Sequence, residues 1–284
     1  MTAPATPTTP AARLAADASF APRRAVTLLY HDVTAPGAFA SSGFRDPLAD
    51  TYKLTTADFV AHLDAVAAAR PDAPGLIGRR AAGPADSPWL ISFDDGGSSA
   101  LAPTADLLEA RGWRGHFFIS TGFTGTRGFL SGAEVRDLDA RGHVVGSHTV
   151  THPARMADLD EASLRREWRD SRRALEDLLG RDVTVASVPG GLYAPHVARA
   201  AAAEGIRVLF NSEPTSRVRE ADGCVLVGRY AFKTTSRAAE AARLAAGDPM
   251  LRAAHWFVWN GKKAVKRVSP RGFGAVRALL TGRR

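Results

Sequence analysis

Apolar residues fall into two alternating patterns along the chain. Short unbroken runs, Val26 to Tyr30 and Trp89 to Phe93 among them, read as strands covered on both faces. His116 to Ser120, His143 to Gly146, Val183 to Val188, Arg207 to Asn211 and Val225 to Phe232 continue the series. Between them lie segments with leucine and alanine at helical spacing. Ser98 to Arg111 ends before Gly112, Ser131 to Arg141 before Gly142, and Asp158 to Leu179 before Gly180, each glycine standing where a helix C-terminus favours one. The last segment puts Leu164, Trp168, Leu175 and Leu178 on one face and is the longest helix expected against the strands. Strands alternating with helices predict an α/β fold with parallel strands.

A length of 284 residues suits one such domain with tails, and 45% hydrophobic residues suffice for a full core. Residues 1 to 20 lack the basic start and apolar stretch of a secretory signal and are expected to form a disordered leader. Residues 34 to 54 and 71 to 88, rich in Gly, Pro, Ala and Asp, read as long surface loops. No run approaches the ~18 apolar residues of a membrane span. The single cysteine, Cys224, excludes an internal disulfide, and a cytoplasmic location is expected.

The net charge of +8 first suggests a nucleic-acid binder, but its distribution says otherwise. Residues 261 to 284 hold eight basic residues and no acidic one, leaving the remainder balanced at 29 basic and 29 acidic. A neutral body without a basic patch interleaved with stacking aromatics argues against nucleic acid as a partner. The basic segment, in a helical extension over 249 to 284 that includes Trp256, Phe257 and Trp259, suits peripheral contact with an anionic membrane at its inner face. A solvated tail that maintains solubility fits the same residues equally well.

The chemistry concentrates at two places. Asp94 and Asp95 end the run Trp89 to Phe93, and His148 and His152 stand in Gly146-Ser147-His148-Thr149-Val150-Thr151-His152-Pro153. Two imidazoles and a carboxylate can hold a catalytic metal with one position open for water, leaving the other carboxylate to take a proton. His148 and His152 are four apart, so a helical turn would put them on one face. The alternative is that the aspartates cap a helix beginning near Ser98 and the histidines are surface residues. Side chains at the C-terminal ends of parallel strands project into a common mouth, and Asp94 and Asp95 after the second strand, His148 after the fourth and Pro189 after the fifth hold such positions.

Phe93-Asp94-Asp95-Gly96, His148-x-x-x-His152-Pro153 and Pro189-Gly190-Gly191-x-Tyr193 follow the order and spacing of the polysaccharide deacetylases, the NodB-homology or carbohydrate esterase family 4 domain. Leu29-Tyr30-His31-Asp32-Val33 resembles the first strand of the branch acting on exopolysaccharides such as poly-N-acetylglucosamine. The resemblance covers roughly residues 25 to 232 and implies a distorted, fewer-stranded (β/α) barrel, with a catalytic domain over 21 to 248. It implies a divalent metal, zinc first, on Asp95, His148 and His152, with Asp94 as base in the removal of acetyl groups from N-acetylated amino sugars of a glycan. Gly190 and Tyr193 fall where the family directs a backbone N–H at the developing oxyanion, and glycine permits that close approach.

Two departures from the family pattern stand out. Many members carry an arginine two residues before the proline that braces the base, and this chain has Ser187 there. Many also have a late Leu-x-x-His whose histidine protonates the departing amine, and this chain offers only His255, in unlike surroundings. His31 is the better candidate for that proton, and Asp32 is expected to orient it, bind a sugar hydroxyl or cap a turn. Without the arginine and the late histidine, a deacetylase-like glycan-binding protein with little turnover is the competing expectation.

Overall fold

The structure, a computed structural model, describes residues 22–78 and 88–268, so the expected leader over 1 to 20 lies outside the described residues. The apolar runs, joined by a polar edge strand over Arg219–Ala221, form nine strands of one sheet among the described residues: β1 (Val26–Tyr30), β2 (Trp89–Phe93), β3 (His116–Ile119), β4 (Val144–Ser147), β5 (Val185–Ser187), β6 (Val208–Phe210), β7 (Arg219–Ala221), β8 (Cys224–Val227) and β9 (Tyr230–Ala231). Across the sheet they run β9-β1-β2-β3-β4-β5-β6-β8-β7, all parallel except β7 against β8. Only Gly228 and Arg229 separate β8 from β9, yet these strands stand toward opposite ends of the sheet. So short a link requires the sheet to curl until its ends approach each other, giving the distorted (β/α) half-barrel.

Six helices of eight residues or more accompany the described strands: α1 (Thr56–Ala69), α2 (Gly132–Ala140), α3 (Glu161–Leu179), α4 (Pro195–Ala203), α5 (Ala238–Ala245) and α6 (Pro249–Val268). Ser131 and Glu134 make a reciprocal capping box at the start of α2, and Asp160 caps α3 through the Ser163 N–H. Gly180 ends α3 in the left-handed region at φ 66°, where a Cβ would be strained. Leu164, Trp168 and Leu175 of α3 are buried, and truncating Trp168 to alanine would cost about 3–5 kcal/mol.

Two sequence expectations are corrected. The helix expected over Ser98 to Arg111 is broken: Ala102 lies at φ −125°, ψ 121°, and a regular turn returns only over Asp106–Glu109. Pro103 is the cause, because a proline disfavours helical backbone in the residue before it and brings no N–H of its own. The last run, Val225 to Phe232, divides into β8 and β9 at Gly228 and Arg229, because its two parts pair with opposite ends of the sheet.

Register fixes which residues meet at the mouth. β1 and β2 pair in step from Val26↔Trp89 to Tyr30↔Phe93, so His31 and Asp94 are the next residues along. β4 pairs with β5 at Ser147↔Ala186, which brings His148 beside Ser187. Asp94, His148, Ser187 and His31 therefore come to one rim through parallel pairing alone.

Candidate active site

Asp95 stands between the two histidines, its Oδ1 3.4 Å from Nε2 of His148 and 3.4 Å from Nε2 of His152. One ligand atom from each of the three lies within 4.8 Å of the others, and Asp95 and His148 are buried. The His148 Nδ1–H donates to the Ser187 carbonyl at 2.9 Å, which fixes the ring with Nε2 facing Asp95. A histidine fixed through one nitrogen with the other free to ligate is the arrangement a metal requires. The donor set, two imidazoles and a carboxylate, suits zinc or a similar divalent ion, so the residues fit the metal implied by the sequence.

The two histidines do not share a helix face. Thr149 at φ 67° and His152 at φ 52° turn the chain through the left-handed region. Thr149 Oγ1 accepts from the His152 N–H at 3.2 Å. Glu167 of α3 then takes the N–H groups of Val150 and Thr151 at 2.8 and 3.0 Å, and its other oxygen accepts from the Thr151 hydroxyl at 2.7 Å. Backbone of this kind costs of order 1–3 kcal/mol per residue and persists where surrounding bonds over-determine it. Glu167 supplies three of those bonds, a role with no signal in the sequence.

Asp94 and Asp95 do not cap a helix, for the turn after Gly97 has no side-chain cap. Asp94 is gripped by Arg229, Nη1 to Oδ1 at 2.7 Å and Nη2 to Oδ2 at 2.8 Å. Arg229 also donates to Ser187 Oγ at 2.7 Å, and that hydroxyl donates to Asp94 Oδ2 at 3.2 Å. The guanidinium is fully buried, with its Nε–H on the Asn211 carbonyl. The brace missing at Ser187 is thus supplied from the β8–β9 link, with Ser187 completing it. Burial by itself would raise the Asp94 pKa, but the charges of Arg229 and His148 outweigh it and hold Asp94 below the usual carboxylate range. Burial likewise opposes charge on Asp95, and its bonds to His148 and His152 hold its pKa well below that range.

His31 lies close enough that its charge lowers the pKa of both aspartates. Its ring stands 4.9 Å from that of Tyr52, and its Nδ1 is buried without a hydrogen-bond partner among the described residues. Asp32 makes its hydrogen bonds away from His31: it is 3% exposed, and its Oδ1 accepts from Ser42 at 2.5 Å and Ser99 at 2.9 Å. Burial chiefly raises its pKa, and the negative charge of Asp95 adds to that. A Cβ on Gly43 or Gly97 would come within 2.0 Å of the Asp32 carboxylate, so both glycines are required where the loop over 35–53 meets the rim.

That loop forms one wall of the mouth. Lys53, buried, donates to the carbonyls of Phe39 and Phe44 at 2.7 and 2.5 Å and holds the loop down. Phe44 stands 4.7 Å from the His152 ring and packs on Phe123 and Phe129 at 4.9 and 5.1 Å. On the opposite side, Gly190 turns the chain after β5 at φ 66°. The Tyr193 hydroxyl donates to Asp222 and Arg219 lies over its ring at 5.0 Å, so the side chain is engaged with the β7–β8 hairpin. His255, the late histidine, pairs with Glu240 at 2.9 Å and packs on Tyr230, which gives it a structural role.

Known proteins resemble this chain in sequence and fold. The polysaccharide deacetylase family profile matches residues 82–209. A chitin deacetylase from Pestalotiopsis sp is 32% identical over 101 residues, covering 36% of this chain and 33% of that protein. Among solved structures, IcaB from Ammonifex degensii is similar at TM-score 0.61 and 20% identity over 78% of this chain and 97% of its own. The Streptococcus pyogenes deacetylase PplD, solved in complex with acetate, is similar at TM-score 0.61 and 16% identity over 77% of this chain and 96% of its own. Identities this low establish the shared fold. The chain spans 49% and 33% of the length of the first two curated relatives it matches. Both aspartates and both histidines lie inside the matched residues, so the chain carries a polysaccharide deacetylase domain match over its candidate site.

Proposed function

We propose that the protein is a metal-dependent deacetylase that removes acetyl groups from N-acetylated amino sugars of a polysaccharide or related glycan. The observation that carries this reading is the convergence of Asp95, His148 and His152 beside an Asp94 braced by Arg229. A divalent ion held by those three would acidify a water and polarise the acyl oxygen at neutral pH.

The chain's own residues supply the rest. Amide hydrolysis adds hydroxide to the acyl carbon and a proton to the departing nitrogen, releasing acetate and a free amine. Asp94, kept ionised by Arg229, accepts the proton of the attacking water. His31, on the adjacent strand end, donates to the amine, and its unpartnered Nδ1 is the atom that takes up substrate or water. The turn at Gly190 to Tyr193 presents backbone N–H groups to the acyl oxygen. Phe44 and Tyr52 border the mouth as apolar surfaces for sugar rings.

The competing reading, a glycan binder with little turnover, rested on a missing brace for the base and a missing late histidine as general acid. Arg229 removes the first of these reasons. Acetate release from N-acetylglucosamine oligomers with added zinc separates the two. Asp94→Asn should retain metal and lose roughly 10²–10⁴-fold in rate, since it deletes a base and no ligand. Near-normal turnover in that variant would remove Asp94 from the role.

A further inference from the structure

The helix α6 presents an unusual face. Its N-terminus is capped by Asp248, which accepts from the Leu251 N–H at 2.9 Å. Its contacts with the body come from one side: Leu251 packs on the main core, Arg252 donates to Ser216 at 2.8 Å, and His255 meets Glu240 at 2.9 Å. The other side is apolar and open. Met250 is 80% exposed, Phe257 67% and Val258 57%. By helical register Gly261 continues the sector of Met250, Ala254, Phe257 and Val258, and the sequence that follows it supplies Lys262, Lys263, Lys266 and Arg267.

We propose that α6 lies along an anionic membrane surface, its apolar sector in the acyl boundary and its basic residues on lipid headgroups. Exposed apolar side chains backed by lysine and arginine are the signature of a helix that rests in the interface plane. No described helix is long and apolar enough to cross a membrane, which is consistent with surface contact. Charge selects this occupant over the others. Residues 249 to 284 contain no acidic residue, so two copies meeting through this face would bring like charges together. A nucleic acid would satisfy the basic residues and leave Met250, Phe257 and Val258 in water. An anionic bilayer satisfies both sets. A deacetylase domain held in this way would act on glycan, or its lipid-linked precursor, close to the membrane plane.

The test is co-sedimentation of the full chain with vesicles of phosphatidylcholine alone and of phosphatidylcholine mixed with phosphatidylglycerol, across a salt series. The protein should pellet with the mixed vesicles at low salt and be released as salt rises. A Met250→Glu, Phe257→Glu variant should lose binding at least tenfold with unchanged thermal unfolding. Lys262→Glu with Lys263→Glu should lose roughly ten- to thirtyfold, as each basic residue near the surface contributes to the partition. Equal pelleting of parent and variants, or no pelleting of the parent, would overturn the proposal. So would a dimer, seen by light scattering, that the Met250→Glu, Phe257→Glu change abolishes in a protein that ignores vesicles. Sedimentation needs no substrate, so its failure is distinct from a failure of the deacetylase reading.

Discussion

Arg229 reaches Asp94 from the seam of the barrel, meeting both carboxylate oxygens at 2.7 and 2.8 Å. The pairing couples architecture to chemistry, because Arg229 lies in the two-residue link that brings the ends of the sheet together. A bidentate guanidinium in a dry site both orients the carboxylate and maintains its charge, which a lysine cannot reproduce.

Arg229→Met should therefore raise the pKa of Asp94 and move the acidic limb of the pH–rate profile to higher pH. Stability should fall by about 3–5 kcal/mol, since the aspartate is left buried and unpaired. Arg229→Lys, which keeps the charge and loses the fork, should fold and bind metal yet turn over more slowly. Chemical unfolding alongside a pH–rate series checks both, and an unmoved acidic limb in the lysine variant, with full activity, would remove Arg229 from the mechanism.

Glu167 is the corresponding support on the metal side. Glu167→Ala frees the N–H groups of Val150 and Thr151 and relaxes the turn that holds His152. Outer support of this kind is worth roughly 10–100-fold in metal affinity. Competition for zinc against a chromophoric chelator measures it, and parental affinity in the variant would show that the turn holds without Glu167.

The strands and the candidate metal ligands were legible in the sequence because each is a local signal. An unbroken run such as Trp89 to Phe93 declares a buried strand, and Asp94-Asp95 with His148 and His152 names a donor set. Arg229 and Glu167 were not legible, because their roles depend on separations that only the fold closes. Arg229 lies 135 residues from Asp94, and Glu167 lies 16 from Thr151 on another element. The helix over Ser98 to Arg111 was misread because leucine spacing was weighed and the backbone preference imposed by Pro103 was not. Asp32 looked like a site residue by position, and its burial beneath Ser42 and Ser99 follows from a loop whose path the sequence does not reveal.

A separate prediction concerns pH and stability. His116 is buried and neutral, its Nδ1–H on the Ile91 carbonyl and its Nε2 accepting from the Ile77 N–H, and burial lowers its pKa from 6.5 to about 4. A folded pKa below the unfolded value means that unfolded chains take up the proton first. Its contribution is complete above pH 6.5 and declines as pH falls toward 4, by on the order of 2–3 kcal/mol. Urea unfolding at several pH values should show that slope in the parent and a shallower one in His116→Gln. Identical slopes would mean that other groups set the acid sensitivity.

The central claim is that this barrel hydrolyses an N-acetyl amide with a single ion on Asp95, His148 and His152. Its most direct test is zinc titration of chelator-stripped protein while acetate release from an N-acetylglucosamine oligomer is followed. Stripped protein should release no acetate, and release should then rise to saturate at about one zinc per chain and be absent from the His148→Ala, His152→Ala variant. Release that is independent of metal, or that survives loss of both histidines, would contradict it.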